Sequence, residues 1–257
     1  SDDHFLYAFA ASGFRPGGLN VPVGLGLPAP FDQEEVYSYE IGWKATWLEG
    51  TVRTQLNAFH NDYDNFQVRV GYPTIPVFAF QLNTPETTTI DGFEAQVQAV
   101  FGNLSLNAGL GWLTSELGAF YAVDPRVVSF LPCDPETGPE TSACVNLEGH
   151  EQTYAPELTF NIGLEYDIQL QDSILTPRLN FGHIAEQWAT LFQKEALGDR
   201  IEDRNILNAQ LAWQFDSVVV TAFGNNLTDE HYVGAINSGL RFAGSPRQYG
   251  LRVMKSF

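Results

Sequence analysis

Few of the 257 residues are able to do covalent chemistry, and fewer stand at the spacings that chemistry demands. Neither G-x-S-x-G nor H-E-x-x-H occurs, and His4, His60, His150, His183 and His231 show no metal-ligand spacing. Asp229 with His231 comes nearest to an acid–base pair, but that spacing is unspecific. No catalytic residue, metal site or cofactor is expected. SGFRPGG, residues 12–18, has the glycines of a phosphate loop, yet it follows an alternating segment and opens no helix. Gly13, Gly17 and Gly18 there read as permissive backbone and Pro16 as a bend. Phe14 and Arg15 are the pair in that loop suited to touching an anionic ligand. Trp188, Phe192, Tyr232 and Arg241 lie in other irregular segments and are the remaining ligand-contact candidates.

Cys133 and Cys144 share FLPCDPETGPETSACVN, a stretch rich in proline, glycine and acids. That context suits a disulfide closing one loop in an oxidising compartment. Free thiols are the next reading; a metal site is the weakest, because only His150 and scattered carboxylates are near. The surrounding loop, 117–154, has Glu116, Asp124, Asp134, Glu136, Glu140, Glu148 and Glu151 in or beside it, against Arg126 alone. Such a run reads as a solvated surface, with a bound divalent cation as the sharper alternative.

A net charge of −18 argues against a nucleic-acid partner, which requires a basic stripe to displace counterions. No apolar run approaches the roughly 18 residues a transmembrane helix needs, and the opening SDDHFLYAF is no leader, so any signal peptide is expected to be absent or removed.

The elements that must position these residues are strands. Alternation at period two recurs wherever the chain is regular, and ten candidates fall near 4–12, 36–48, 51–70, 86–101, 103–116, 155–170, 173–186, 204–215, 218–228 and 246–257. Tight connections at LEGT, FGN, QDS and FDS alternate with long ones near 13–35, 71–85, 117–154, 187–203 and 229–245. An antiparallel up-and-down meander with turns at one end and large loops at the other is how outer-membrane barrels are built. Leu104, Leu106, Ala108, Leu110 and Trp112 alternate with Ser105, Asn107, Gly109 and Gly111, so the polar face is small and neutral. A water-filled or plugged lumen tolerates such a face, where a soluble sandwich would more often show Lys and Glu. Trp47, Phe101, Tyr166, Phe215 and Phe257 stand on the apolar parity at the turn end or the chain end, which reads as an aromatic girdle at a membrane interface. Glu40, Lys44, Glu94, Glu165, Arg178 and Arg252 keep to the polar parity, with Lys255 the exception near an interface.

At family level these segments resemble the C-terminal part of the barrel of TonB-dependent outer-membrane receptors. FLYAFAASGFRPGG resembles the strand entering that family's Gly-Phe-Arg-Pro-Gly loop; VYSYEIGWKATWLEG with LNAFHNDYDNFQ, and IDGFEAQVQA with LSLNAGLGWLTSE, resemble its following hairpins. GNNLTDEHYV and SPRQYGLRVMKSF resemble the stretch before the last extracellular loop and the closing strand. The order of the segments carries the resemblance more than any one of them.

The resemblance implies an all-β chain: a transmembrane barrel segment of about ten strands with short periplasmic turns and long extracellular loops, in the bacterial outer membrane. It implies uptake of a scarce ligand, most often a ferric siderophore, with no bond made or broken. Outer-membrane lipid and lipopolysaccharide are implied partners, and the acidic loop would meet any lipopolysaccharide-bound cation. Such receptors resemble plugged barrels of about 22 strands. Residues 1–257 are therefore expected to be one portion of a larger barrel, with the plug and TonB box, and so contact with the TonB complex, supplied elsewhere. Lys255 departs from the aromatic that the family commonly has third from the end. The competing reading is a self-closed ten-stranded barrel acting as a passive pore or surface enzyme.

Overall fold

The computed structural model describes residues 3–20, 30–72, 75–124, 126–127, 133, 144–237 and 239–256. Ten long strands form one antiparallel sheet in chain order. They are β1 (His4–Arg15), β2 (Glu34–Trp47), β3 (Val52–Asp64), β4 (Thr88–Phe101) and β5 (Leu104–Glu116). The second half comprises β6 (Leu158–Tyr166), β7 (Ser173–Ile184), β8 (Arg204–Phe215), β9 (Val218–Asn225) and β10 (Gln248–Lys255). A short piece, Ile168–Gln169, continues β6 against β7. Among the described residues no pairing joins β1 to β10, which stand at opposite ends of the sheet. The self-closed ten-stranded alternative finds no support in that order.

Period-two alternation becomes two distinct faces because registered partners share a side of the sheet. One row runs Trp47, Val52, Ala99, Leu106, Leu164, Leu179, Ala209, Gly224 and Tyr249 across nine strands. On this face Leu6, Ile41, Leu251 and Val253 are between 61% and 77% exposed, with no second layer packed over them among the described residues. A contiguous apolar sheet face left bare in water would be a strong liability, whereas hydrocarbon needs such a face.

The opposite face is polar and internally paired. Glu165 is ion-paired with Arg178 on the neighbouring strand; Tyr7 donates a 2.6 Å hydrogen bond to Glu40 and Asn57 one of 3.1 Å to Glu94. Tyr7 lies flat over Gly42, its registered partner, where any Cβ would collide with the ring. Tight turns join the strands at the girdle end, with positive φ at Glu49, Gly50, Gly102 and Asp216. Trp47, Phe101 and Tyr166 end β2, β4 and β6 there, 39%, 49% and 48% exposed, and the Phe215 ring packs 4.8 Å from that of Trp213. Phe257 lies outside the described residues.

Two expectations change at the far end. The third strand stops at Asp64, because Asn65 turns the backbone at a φ of 53°, and each long connection carries a two-stranded ribbon where only loop was expected. These ribbons are Gly18–Leu19 with Pro30–Phe31, Gln67–Tyr72 with Ile75–Asn83, Tyr121–Val123 with Cys144–Asn146, Gln187–Trp188 with Arg200–Ile201, and Val233–Asn237 with Leu240–Ala243. Gly17 is needed for close approach, not for an unusual φ, since a Cβ there would collide with the Phe31 carbonyl. The hydrophobic core also sits in this crown: Val68, Val70, Leu117, Phe120, Ala122, Leu147 and Phe192 are buried together, flanked by Phe66, Leu82, Val145 and Leu191.

Candidate functional site

Four of the five long connections enclose a cavity of about 1040 Å³ at the crown end of the sheet. Phe66–Val70 supply one wall, Arg126 with Gln152 and Thr153 the next, Ala189–Phe192 with Leu197–Asp199 the third, and Ile236–Asn237 with Gly239 and Arg241 the last. Val68 and Val70 point into the buried crown, so alternation turns Arg69 between them to the exposed side. Gln67, itself buried, fixes the ribbon: its N–H donates to Glu34 at 2.7 Å, and its side-chain amide donates to the carbonyls of Pro16 and Asp32 at 3.1 Å.

Cross-braces hold the walls in place. The Tyr154 hydroxyl donates to the Ile236 carbonyl at 2.5 Å and accepts from the Ile236 N–H at 3.0 Å. Arg241 donates to the Gly198 carbonyl at 3.2 Å, and His150 Nδ1 meets the Leu191 carbonyl at 2.7 Å. The strongest brace is ionic. Asp124 and Asp199 are both fully buried, and Arg126 spans them: Nε lies 2.8 Å from Asp124 and Nη2 2.9 Å from Asp199, while Nη1 also bonds Asp199. Lys194 adds a 3.1 Å ion pair to Asp124, and Thr190 a 2.7 Å hydrogen bond to Asp199. Burial pushes both carboxyls up, but the hydrogen bonds from Arg126, with Lys194 and Thr190, outweigh it and hold them below the usual carboxylate range. The hydrogen bond to Asp199 in turn raises Arg126. Nearby, burial followed by the charges of Glu157 and Glu186 raises Glu151.

This arrangement corrects the solvated reading of the acidic loop at one point: Asp124 is an internal ion-pair partner. Asp134, Glu136 and Glu140 lie outside the described residues. Cys133 and Cys144 are joined by a disulfide within that loop, and Cys144 pairs with Val123 in its ribbon.

The ligand-contact candidates divide. Phe192 and Arg241 line the cavity. Trp188 does not; its carbonyl accepts from the Tyr154 N–H at 2.9 Å and so braces a wall. Tyr232 packs over Gly244, under the Arg204 guanidinium at 5.4 Å. Phe14 shares the outward face with Leu6, opposite Glu35, because its even position on β1 directs it away from the lumen. Arg15 ends β1 without lining the cavity. Arg69, Arg126, Gln152 and Asp199 were missed as site residues; only Arg126, the lone base of an acidic loop, carried a signal.

The other candidates for chemistry stand away from the cavity lining. Asp229 is ion-paired with Arg247 at 3.3 Å, and His60 stands on the outward face between Asp62 at 3.0 Å and Asp91 at 2.7 Å. Among the described residues no group of His, Cys, Asp and Glu is arranged to hold a metal ion.

Similar solved structures share the architecture. The ferric yersiniabactin uptake receptor FyuA from Yersinia pestis matches at TM-score 0.74 and 18% identity, over 98% of this chain and 35% of that one. BauA, the ferric preacinetobactin receptor from Acinetobacter baumannii, matches at TM-score 0.70 and 19% identity, over 98% and 34%. PiuA, a siderophore receptor from Acinetobacter baumannii, matches at 0.72 and 16%, again over 98% and 34%. The chain thus spans about a third of the length of the receptors it matches. Residues 1–227 match the family described as TonB dependent receptor-like, beta-barrel. Its members are receptors and transporters of the bacterial outer membrane, and the chain belongs to that family.

Proposed function

We propose that this chain forms an arc of an outer-membrane receptor that takes up a ferric siderophore, with the crown cavity as the place where ligand is first held. The observation that carries this reading is the cavity itself. Its walls come from four separate connections, are cross-braced to one another, and mix apolar residues such as Leu191 and Phe192 with arginines. Its volume suits a ligand of drug-like size or somewhat larger. The outer edges of β1 and β10, unpaired among the described residues, support strands beyond this arc, since bare N–H and C=O groups are not tolerated in hydrocarbon. Energy from the TonB complex enters through parts of the receptor outside these ten strands, while lipid and lipopolysaccharide contact the outward face.

Radio-iron uptake tests the proposal. Iron-starved cells of the source organism should accumulate iron from at least one ferric siderophore only while the intact full-length receptor is present, and a proton uncoupler should stop it. Equal uptake of every chelate by cells with and without the receptor would refute this function.

A further inference from the structure

We infer that the crown cavity selects negatively charged ligands: under the iron-chelate reading, an anionic ferric complex over a neutral one. The inference rests on that reading and narrows it. In a chain of net charge −18 with only 13 lysines and arginines, three arginines line this one cavity. They are not equivalent. Arg126 is consumed by Asp124 and Asp199. Arg69 has neither ion pair nor side-chain hydrogen bond among the described residues, and Arg241 donates to a neutral carbonyl, that of Gly198.

Arg126 and Lys194 together balance Asp124 and Asp199, so among the described residues of the lining Arg69 and Arg241 are the surplus cations. A third donor points the same way. Gln152 is in the lining, and its Nε2 is buried with no hydrogen-bond partner among the described residues, the state an acceptor on a bound ligand would relieve. Leu191, Phe192 and Leu197 supply apolar contact to the ligand body. Arginine suits this task because its planar fork bonds two oxygens of a carboxylate or catecholate at once. Binding exchanges the Gly198 carbonyl on Arg241 for a charged oxygen, a stronger acceptor.

The test uses the full-length receptor in detergent and two iron(III) probes: the tris-catecholate complex, charge −3, and the tris-acetohydroxamate complex, charge zero. The trianion should bind at least about tenfold more tightly, and its affinity should fall with added salt. Arg69→Gln and Arg241→Gln should each weaken trianion binding about tenfold or more, the size of one charged hydrogen bond, while Arg69→Lys should recover part of the loss. Arg53→Gln, on the polar face away from the crown, should change nothing. Gln152→Leu should cost trianion affinity without unfolding the crown, read by intact protease resistance. If both probes bind equally and the arginine variants behave like wild type, the charge inference falls and the receptor reading stands. If neither probe, nor any chelate tried in the uptake assay, binds, both fall.

Discussion

Replacing Arg126 by methionine removes the guanidinium that spans Asp124 and Asp199 while keeping an aliphatic stem. Breaking a buried pair from one side costs about 3–5 kcal/mol when the partner charge is left alone. Here Asp124 keeps Lys194 at 3.1 Å, and Asp199 keeps Thr190 at 2.7 Å and the Lys194 N–H at 2.8 Å. The loss therefore centres on one carboxylate without a cation, and Arg126 itself is 30% exposed, so a smaller figure of about 2–3 kcal/mol applies. That cost falls on the crown, because Asp124, Arg126, Thr190, Lys194 and Asp199 all lie in its long connections. It corresponds to about 30- to 150-fold more frequent opening of the segments around 121–127 and 189–199. Amide hydrogen exchange of the full-length receptor reads this directly, with the strands as internal reference. Adding Asp199→Asn should return part of the loss, since it removes the orphaned charge. Unchanged exchange in Arg126→Met, or a double variant as unprotected as the sum of the singles, would refute the reasoning.

Further outcomes follow from the same geometry. Because Asp124 and Asp199 titrate below their unfolded value of about 3.9, the stability they confer is complete above that value and lost as pH falls through their folded values. Crown protection factors, which are exchange rates corrected for the intrinsic pH dependence of amide exchange, should thus be flat between about pH 5 and 8 and fall only below about pH 4, whereas loosening near pH 6 would contradict the ion cluster. Gly17→Ala should displace Phe31 and expose the 13–35 connection to protease at a cost of about 1–3 kcal/mol, leaving the barrel folded by heat-modifiability on gels. Non-reduced peptide mapping should find Cys133 linked to Cys144, and reduction should speed cleavage within 117–154; two thiols alkylated without reductant would oppose this. A cysteine placed at Glu148 should be labelled on intact cells and one at Asp216 should not; the reverse pattern would invert the topology.

The strands were legible in the sequence because a sheet with lipid on one side and a polar lumen on the other forces strict alternation. LSLNAGLGWLTSE shows both faces without any tertiary information, and Glu165 and Arg178 share the polar parity that the register later pairs. The crown was far less legible. QVRVGY alternates as β3 does, so nothing in composition marks Asn65 as the break between strand and ribbon. Arg126 and Asp199 stand 73 positions apart in connections that meet only in three dimensions, which no local pattern reports. Phe14 shows the opposite error: a residue beside a glycine-rich turn was read as loop, when β1 continues through Arg15 and parity carries Phe14 outward.

On the proposed function, the crown cavity faces the outside and holds the ligand before uptake. Leu197 lines it and is 48% exposed, so a cysteine placed there tests both halves of the claim at once. A bulky, membrane-impermeant thiol reagent added to intact cells carrying the full-length Leu197→Cys receptor should label that position. Labelling should block radio-iron uptake, and prior addition of the transported chelate should slow the labelling. Failure to label from outside, or full labelling with uptake untouched, would contradict the account.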